Sequence, residues 1–265
     1  MLGFYYVYQT IRSLADTGSS KTRAYGNAGW IVRLEERMWI FHEQAIQQLF
    51  LGARWFIRVM NIYYGTLHFI ITVGLLLWLF VRRHESYRPM RNLLGVTTAL
   101  ALVGYWTYPL APPRLYLACD LDLPVLGPQG GLVRPDCFVD TLARVGGMWS
   151  YHSPVAKAVA NQYAAMPSLH FGWALWCGIV FWKFATRRSL RSLAFLYPLL
   201  TLFAIVVTAN HYFLDAAGGA ALVVVALAVV RLAHRRDGVS AAASPVAAVA
   251  DGPSAPVPAT GPSPG

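Results

Sequence analysis

Four apolar stretches constrain this chain more than any other feature. Met60–Val81 and Asn92–Pro113 each run for 22 residues without a formal charge. Ala158–Trp182 adds 25, its apolar part starting near Ala164, and Ser192–Val230 spans 39 with a single charge, Asp215. A helix needs about 20 apolar residues to cross the hydrocarbon core of a bilayer. The last stretch is long enough for two such helices joined by a tight turn near Thr208–Asn210. The expected fold is all-α: a polytopic transmembrane helical bundle with five spans at roughly 60–81, 92–110, 166–185, 191–208 and 211–231. Only 13% of the 265 residues are charged, against about 25% in soluble domains.

The flanks divide the rest. Leu2–Ala15 is aromatic and apolar but only 14 residues long, so it reads as a short sixth helix or one lying in the interface. It lacks the basic start and small-residue cleavage site of a signal peptide. Trp30–Phe50 places Ile31, Leu34, Met38, Phe41, Ala45 and Leu49 at helical spacing among charges, the pattern of an amphipathic helix on the membrane surface. The expected organisation is an N-terminal region at 1–58, a membrane bundle at 59–233 with an outer loop at 112–163, and a tail at 234–265. Within that tail, Gly238–Gly265 holds six prolines and one charge and is too poor in large apolar residues to pack, so disorder is expected.

Charge supplies an orientation. Arg82, Arg83, Arg88 and Arg91, then Lys183, Arg187, Arg188 and Arg191, then Arg231, Arg235 and Arg236 fall on one side of the expected bundle. The 112–163 loop balances Arg114, Arg134, Arg144 and Lys157 with Asp120, Asp122, Asp136 and Asp140. The positive-inside rule places the basic loops and the C-terminus in the cytoplasm and the long loop outside. This accounts for the net charge of +10 without a nucleic-acid partner, which would require a basic patch on a soluble element. A multi-pass protein of the cell membrane is expected.

Chemistry gathers at two span edges. His211-Tyr212-Phe213-Leu214-Asp215 sets a histidine and an aspartate four residues apart, hence on one face of a helix. Asp215 can then hold one imidazole nitrogen and leave the other free as base or nucleophile. A lone carboxylate in an apolar run is costly and marks function more often than structure. Pro167-Ser168-Leu169-His170 opens the next-to-last pair of spans. Proline favours a first helical turn, where unpaired N–H groups and the dipole suit an anion. Ser168 can add a donor and His170 can protonate a leaving oxygen. Two spans separate the histidines, so both fall at the same membrane depth. Arg114, just past the 92–110 span, lies on the same side and suits bidentate phosphate binding.

The remaining histidines, His42, His68, His84, His152 and His234, have no partner at useful spacing and read as structural or flanking. A zinc site of His170, His211 and Asp215 fits by ligand type, but no metal-binding signature accompanies it, and a metal-free, cofactor-free site is the preferred reading. Cys177 reads as core. Cys119 and Cys137 share the outer loop, an oxidising location, and are a candidate disulfide, with two unpaired thiols as the alternative.

These residues resemble the type-2 phosphatidic acid phosphatase superfamily over roughly residues 50–232. Its second motif, Pro-Ser-Gly-His, is matched by Pro167-Ser168-Leu169-His170, and the His-x3-Asp of its third by His211 and Asp215. The Leu169 and His-Tyr variations are similar to the inositol phosphorylceramide synthase-like (inositolphosphotransferase) branch. The chain departs from the superfamily elsewhere. Arg114 is followed by Leu115 rather than proline, Thr107 stands at the first-motif lysine, and Ala204-Ile205 stand at the third-motif Ser-Arg. Arg88-Pro89 imitates an Arg-Pro pair on the opposite side of the membrane.

The resemblance implies that His211 attacks phosphorus to form a phosphohistidine and that Asp215 orients it. It implies that His170 serves as acid then base, while Arg114, Ser168 and the helix N-terminus hold phosphate oxygens. Fewer cations suit a phosphodiester or transfer substrate. The expected activity is a lipid phosphotransferase acting on a phospholipid or prenyl-phosphate substrate at the extracytoplasmic face. The alternatives are a lipid phosphate or prenyl diphosphate phosphatase and, outside enzymes, a membrane transporter or assembly factor. Neither the headgroup nor the oligomeric state is legible in the residues.

Overall fold

A computed structural model describes residues 18–117, 137–148 and 162–243, with side chains from Ser20 to Arg235 within those ranges. The Leu2–Ala15 segment, most of the 112–163 loop including Cys119, and the chain beyond Ala243 lie outside the described residues. Seven helices matter here: α1 (Gly18–Arg37), α2 (Glu43–Leu51), α3 (Arg54–Arg82), α4 (His84–Thr107), α5 (Leu169–Phe184), α6 (Leu193–Val207) and α7 (Phe213–Ala243). One-turn helices at Pro113–Tyr116, Thr141–Arg144 and Arg188–Arg191 lie between them. Among the described residues there is no strand, only an isolated bridge between Leu110 and Ala164. The chain divides into two compact units, Met1–Val230 and Arg231–Gly265.

Each expected span coincides with a helix, with shifted ends. α3 starts six residues before Met60 and contains a π-helical turn at Tyr63–Leu67. α4 begins at His84, so Arg88 and Arg91 lie in a helix and not in a loop. The prolines at 109, 112 and 113 follow the end of α4 and prevent its continuation. α7 stays helical to Ala243, into the segment expected to be a tail.

Three helices are long and apolar enough to cross a membrane: Arg54–Arg82, Arg188–Val207 and Phe213–Arg235. Each presents large exposed apolar side chains, among them Ile70, Leu77, Phe195, Leu199 and Val224. Such surfaces suit hydrocarbon and not water. α5 packs most extensively on α6, around a core that includes Trp176, Cys177, Val180 and Ala204. Cys177 is a buried free thiol, as expected of a core residue.

The N-terminal region departs most from expectation. The helix expected over Trp30–Phe50 is broken at Met38–His42 into α1 and α2. Its polar side chains Glu35, Glu43 and Gln47 are fully buried, whereas Met38 and Leu49 on the supposed apolar face are 51% and 78% exposed. The burial of the two carboxyl groups has a local cause. Glu35 Oε1 accepts the Leu214 N–H at 2.7 Å and Glu43 Oε1 accepts the Phe213 N–H at 2.9 Å. The first N–H groups of a helix have no partner within it, and these two carboxyl groups supply it from a distance in sequence. Gln47 does similar work for the 137–148 segment, exchanging hydrogen bonds with both the N–H and the carbonyl of Val139 at 2.9 Å.

Candidate active site

The two motifs meet at the amino ends of α5 and α7. Ser168 is the N-cap of α5, its Oγ accepting the Phe171 N–H at 3.3 Å, and its own N–H donates to the Asp215 carbonyl at 2.9 Å. Pro167 therefore precedes the helix, and His170 is its second residue. Close approach of the helices depends on glycine. A Cβ at Gly219 would collide with the Ser168 carbonyl oxygen, and one at Gly104 would meet the Pro167 ring.

The imidazole centroids of His170 and His211 are 5.8 Å apart, with planes inclined at 55°. His211 is 4% exposed. Its Nδ1 lies 2.9 Å from the Ala165 carbonyl oxygen and 3.3 Å from Asp215 Oδ2. Both partners are acceptors, so Nδ1 carries the hydrogen and Nε2 keeps its lone pair. Asp215 is fully buried, and its Oδ2 also accepts the Tyr212 N–H at 3.0 Å. The aspartate thus caps its own helix while orienting the histidine. The Ala165 carbonyl, the closer partner, had no signature in residue type.

His170 sits in an aromatic setting. The Tyr64 ring stacks on it at 4.1 Å between centroids, Phe69 approaches edge-on at 5.4 Å, and His68 lies 5.3 Å away. The ring also donates to the Tyr64 backbone carbonyl, while Nε2 is buried without a partner. Tyr64 belongs to the π-helical turn of α3, a distortion that recurs at functional sites. His68, read from sequence as having no partner, is fully buried beside the site. Its Nδ1 lies 2.9 Å from the Tyr197 hydroxyl, and its Nε2 is buried without a partner. Neither contact is local, so spacing gave no hint of it.

Arg114 lies in the one-turn helix Pro113–Tyr116, and its N–H donates to the Ala209 carbonyl at 3.0 Å. The guanidinium donates from Nε to Asn210 Oδ1 at 3.0 Å and from Nη1 to Asp140 Oδ2 at 2.9 Å. It is thereby tied to the residue preceding His211. Ala209 holds φ of 55°, a left-handed conformation that costs a non-glycine residue about 1–2 kcal/mol. The Asn210 amide donates to Thr208 Oγ1 at 2.7 Å, so a bonded turn leads directly into His211. Sequence reasoning did not single out Asp140 or Asn210.

Among the described residues, His170, His211, Asp215 and Ser168 share one locus, with Arg114 bound to its edge. The candidate Cys119–Cys137 pair has one end outside the described residues. No cluster of three or more His, Cys, Asp or Glu able to hold a metal occurs among the described residues. The arrangement presents two imidazole Nε2 atoms in a water-poor setting with a carboxylate behind one and a guanidinium nearby. That set suits proton transfer and nucleophilic attack at an anionic ester.

Among known families, the model described as PAP2 superfamily matches residues 29–229. No curated protein and no solved structure matches the chain.

Proposed function

Starting from the PAP2 superfamily, to which this chain belongs, we propose that it is a membrane lipid phosphotransferase working through a phosphohistidine. Membership carries a membrane phosphatase or phosphotransferase acting on lipid phosphates. The finer reading rests on one observation: Nδ1 of His211 is held by two acceptors, Ala165 O and Asp215 Oδ2, which leaves Nε2 as the only nucleophilic atom of that ring.

In the first step His211 Nε2 attacks phosphorus, a P–N bond forms, and the P–O bond to the leaving alcohol breaks. His170, entering as imidazolium, gives its Nε2 proton to the leaving oxygen. In the second step neutral His170 takes the proton of an acceptor hydroxyl, whose oxygen attacks phosphorus as the P–N bond breaks. Positioned acid–base help of this kind contributes about 10²–10⁴-fold. Asp215 stabilises the positive charge that develops on the His211 ring. Arg114, the Ser168 hydroxyl and the amino end of α5 serve the phosphate oxygens.

The chain carries Leu115 after Arg114, and Thr107, Ala204 and Ile205 where the superfamily pattern has polar or basic residues. Ala204 and Ile205 are fully buried, so no cation replaces them there. A phosphodiester or transfer substrate, carrying less charge than a phosphomonoester, suits this poorer set. The proposed setting is a five-span bundle in the cell membrane, with the site at the extracytoplasmic face and the C-terminus in the cytoplasm. It resembles the inositol phosphorylceramide synthase-like branch in its Leu169 and Tyr212 variations.

The test is a radiolabelled lipid phosphodiester given to purified protein with and without polyol acceptors. A labelled polyol ester or a new labelled lipid supports transfer. Release of the free phosphomonoester alone, by transfer to water and unchanged by acceptors, supports the hydrolytic reading instead.

A further inference from the structure

Glu35 and Glu43 have no part in the proposed chemistry, yet both are fully buried. Their Oε1 atoms accept the N–H groups of Leu214 and Phe213, the first two residues of α7 and the residues between Tyr212 and Asp215. Their Oε2 atoms are also buried, and neither meets an N–H or O–H donor from any other described residue. The two side chains converge on consecutive N–H groups of one helical turn, which makes the two buried carboxyl groups neighbours. An ionised carboxylate only accepts, so neither can donate to the other unless one of them holds a proton. Two buried carboxylates this close cannot both ionise without strong repulsion.

The environment reinforces this. Among the described residues, Asp215 and Tyr212 act electrostatically on the pair. Burial pushes the Glu35 carboxyl up to about 10, helped by the neighbouring Glu43 carboxyl, and burial raises Glu43 as well.

We propose that Glu35 and Glu43 share one proton and act as positioning residues, clamping the first turn of α7 so that His211 and Asp215 keep their alignment. The shared proton removes the repulsion. The remaining single negative charge suits the positive end of the helix dipole. The positioning role rests on the reading of His211 as nucleophile, whereas the shared proton stands independently of it.

The experiment uses the full chain in detergent at neutral pH as wild type, Glu35→Gln, Glu43→Gln, Glu35→Leu and Glu43→Leu. Infrared difference spectra should show the carbonyl band of a protonated carboxylic acid in the wild type and its loss in both Gln variants. Glutamine offers an amide donor where the proton sits, so the Gln variants should recover most of the kcat that the Leu variants lose. The Leu loss should be on the order of 10²-fold in kcat with little change in KM. A carboxylic acid band that persists in both Gln variants overturns the shared proton. Gln variants as impaired as Leu variants, or Leu variants with unaltered kcat, overturn the positioning role. Intact turnover in His211→Ala would instead reject the nucleophile reading while leaving the infrared result in force.

Discussion

At the scale of the residue, His211 is held twice. In a site with one orienting carboxylate, replacing it by the amide allows the wrong tautomer and costs about 10⁴-fold. Here the Ala165 carbonyl at 2.9 Å retains the Nδ1–H even when the carboxylate at 3.3 Å is changed. Asp215→Asn should therefore reduce kcat on the order of 10²-fold, with the loss coming mainly from weaker stabilisation of the ring's positive charge. Steady-state kinetics on the purified variant checks this, and a loss as complete as that of His211→Ala would mean that the carbonyl does not fix the tautomer. The i, i+4 spacing of His211 and Asp215 was legible in the sequence because it is a property of one helix. The Ala165 carbonyl was not, because every residue carries one and only tertiary structure aims it. His68 escaped for the same reason: its partners Tyr197 and His170 lie more than 100 residues away.

At the scale of the element, apolar length and charge gaps located every helix that carries a motif, and prolines marked the end of α4. The amphipathic pattern of Trp30–Phe50 did not reveal that Glu35 and Glu43 are buried. Those two carboxyl groups cap the amino end of α7, a demand set by a helix about 170 residues further on. This arrangement has a pH signature. The Glu35 value of about 10 in the folded protein exceeds its ordinary 4.5, so the folded state holds a proton that the unfolded state has released. Its stabilising contribution is complete below about 4.5 and is lost as pH rises through about 10. Thermal unfolding in detergent should show a midpoint that falls between pH 5 and 10, with a flatter slope in Glu35→Gln. An equal slope in both proteins would contradict the assignment.

Helix contact provides a second prediction at this scale. Gly219→Ala must displace the Ser168 carbonyl, and overpacking of this kind costs about 1–3 kcal/mol. Gly74→Ala meets nothing within 4 Å and should be neutral or slightly stabilising in the α3 helix. Unfolding midpoints of the two variants compare these directly.

At the scale of the whole molecule, Arg54–Arg82, Arg188–Val207 and Phe213–Arg235 are long and apolar enough to cross a membrane, in a chain that belongs to the PAP2 superfamily. Two further helices, α4 and α5, complete the proposed five spans, and α5 is only 16 residues long. The proposed topology brings His170 and His211 to the same depth and leaves the basic loops on the other side. Single cysteines at Arg187 and at Met148, introduced into a protein free of other cysteines, should react with a membrane-impermeant thiol reagent from opposite faces of sealed vesicles. Labelling from the same face would reject the topology. The expectation of a common depth for the two histidines came from the even number of spans placed between them. The sequence could not show that their rings approach to 5.8 Å, which depends on Gly219 and Gly104 allowing close backbone contact.

The most direct measurement of the central proposal is the position of the phosphoryl group on the quenched enzyme. After brief reaction with a labelled lipid phosphate and denaturation in base, peptide mass spectrometry and phosphorus NMR should find phosphohistidine at His211, as the Nε2 isomer, and none in His211→Ala. Phosphoryl label on any other residue, the Nδ1 isomer at His211, or turnover persisting in His211→Ala would contradict the account.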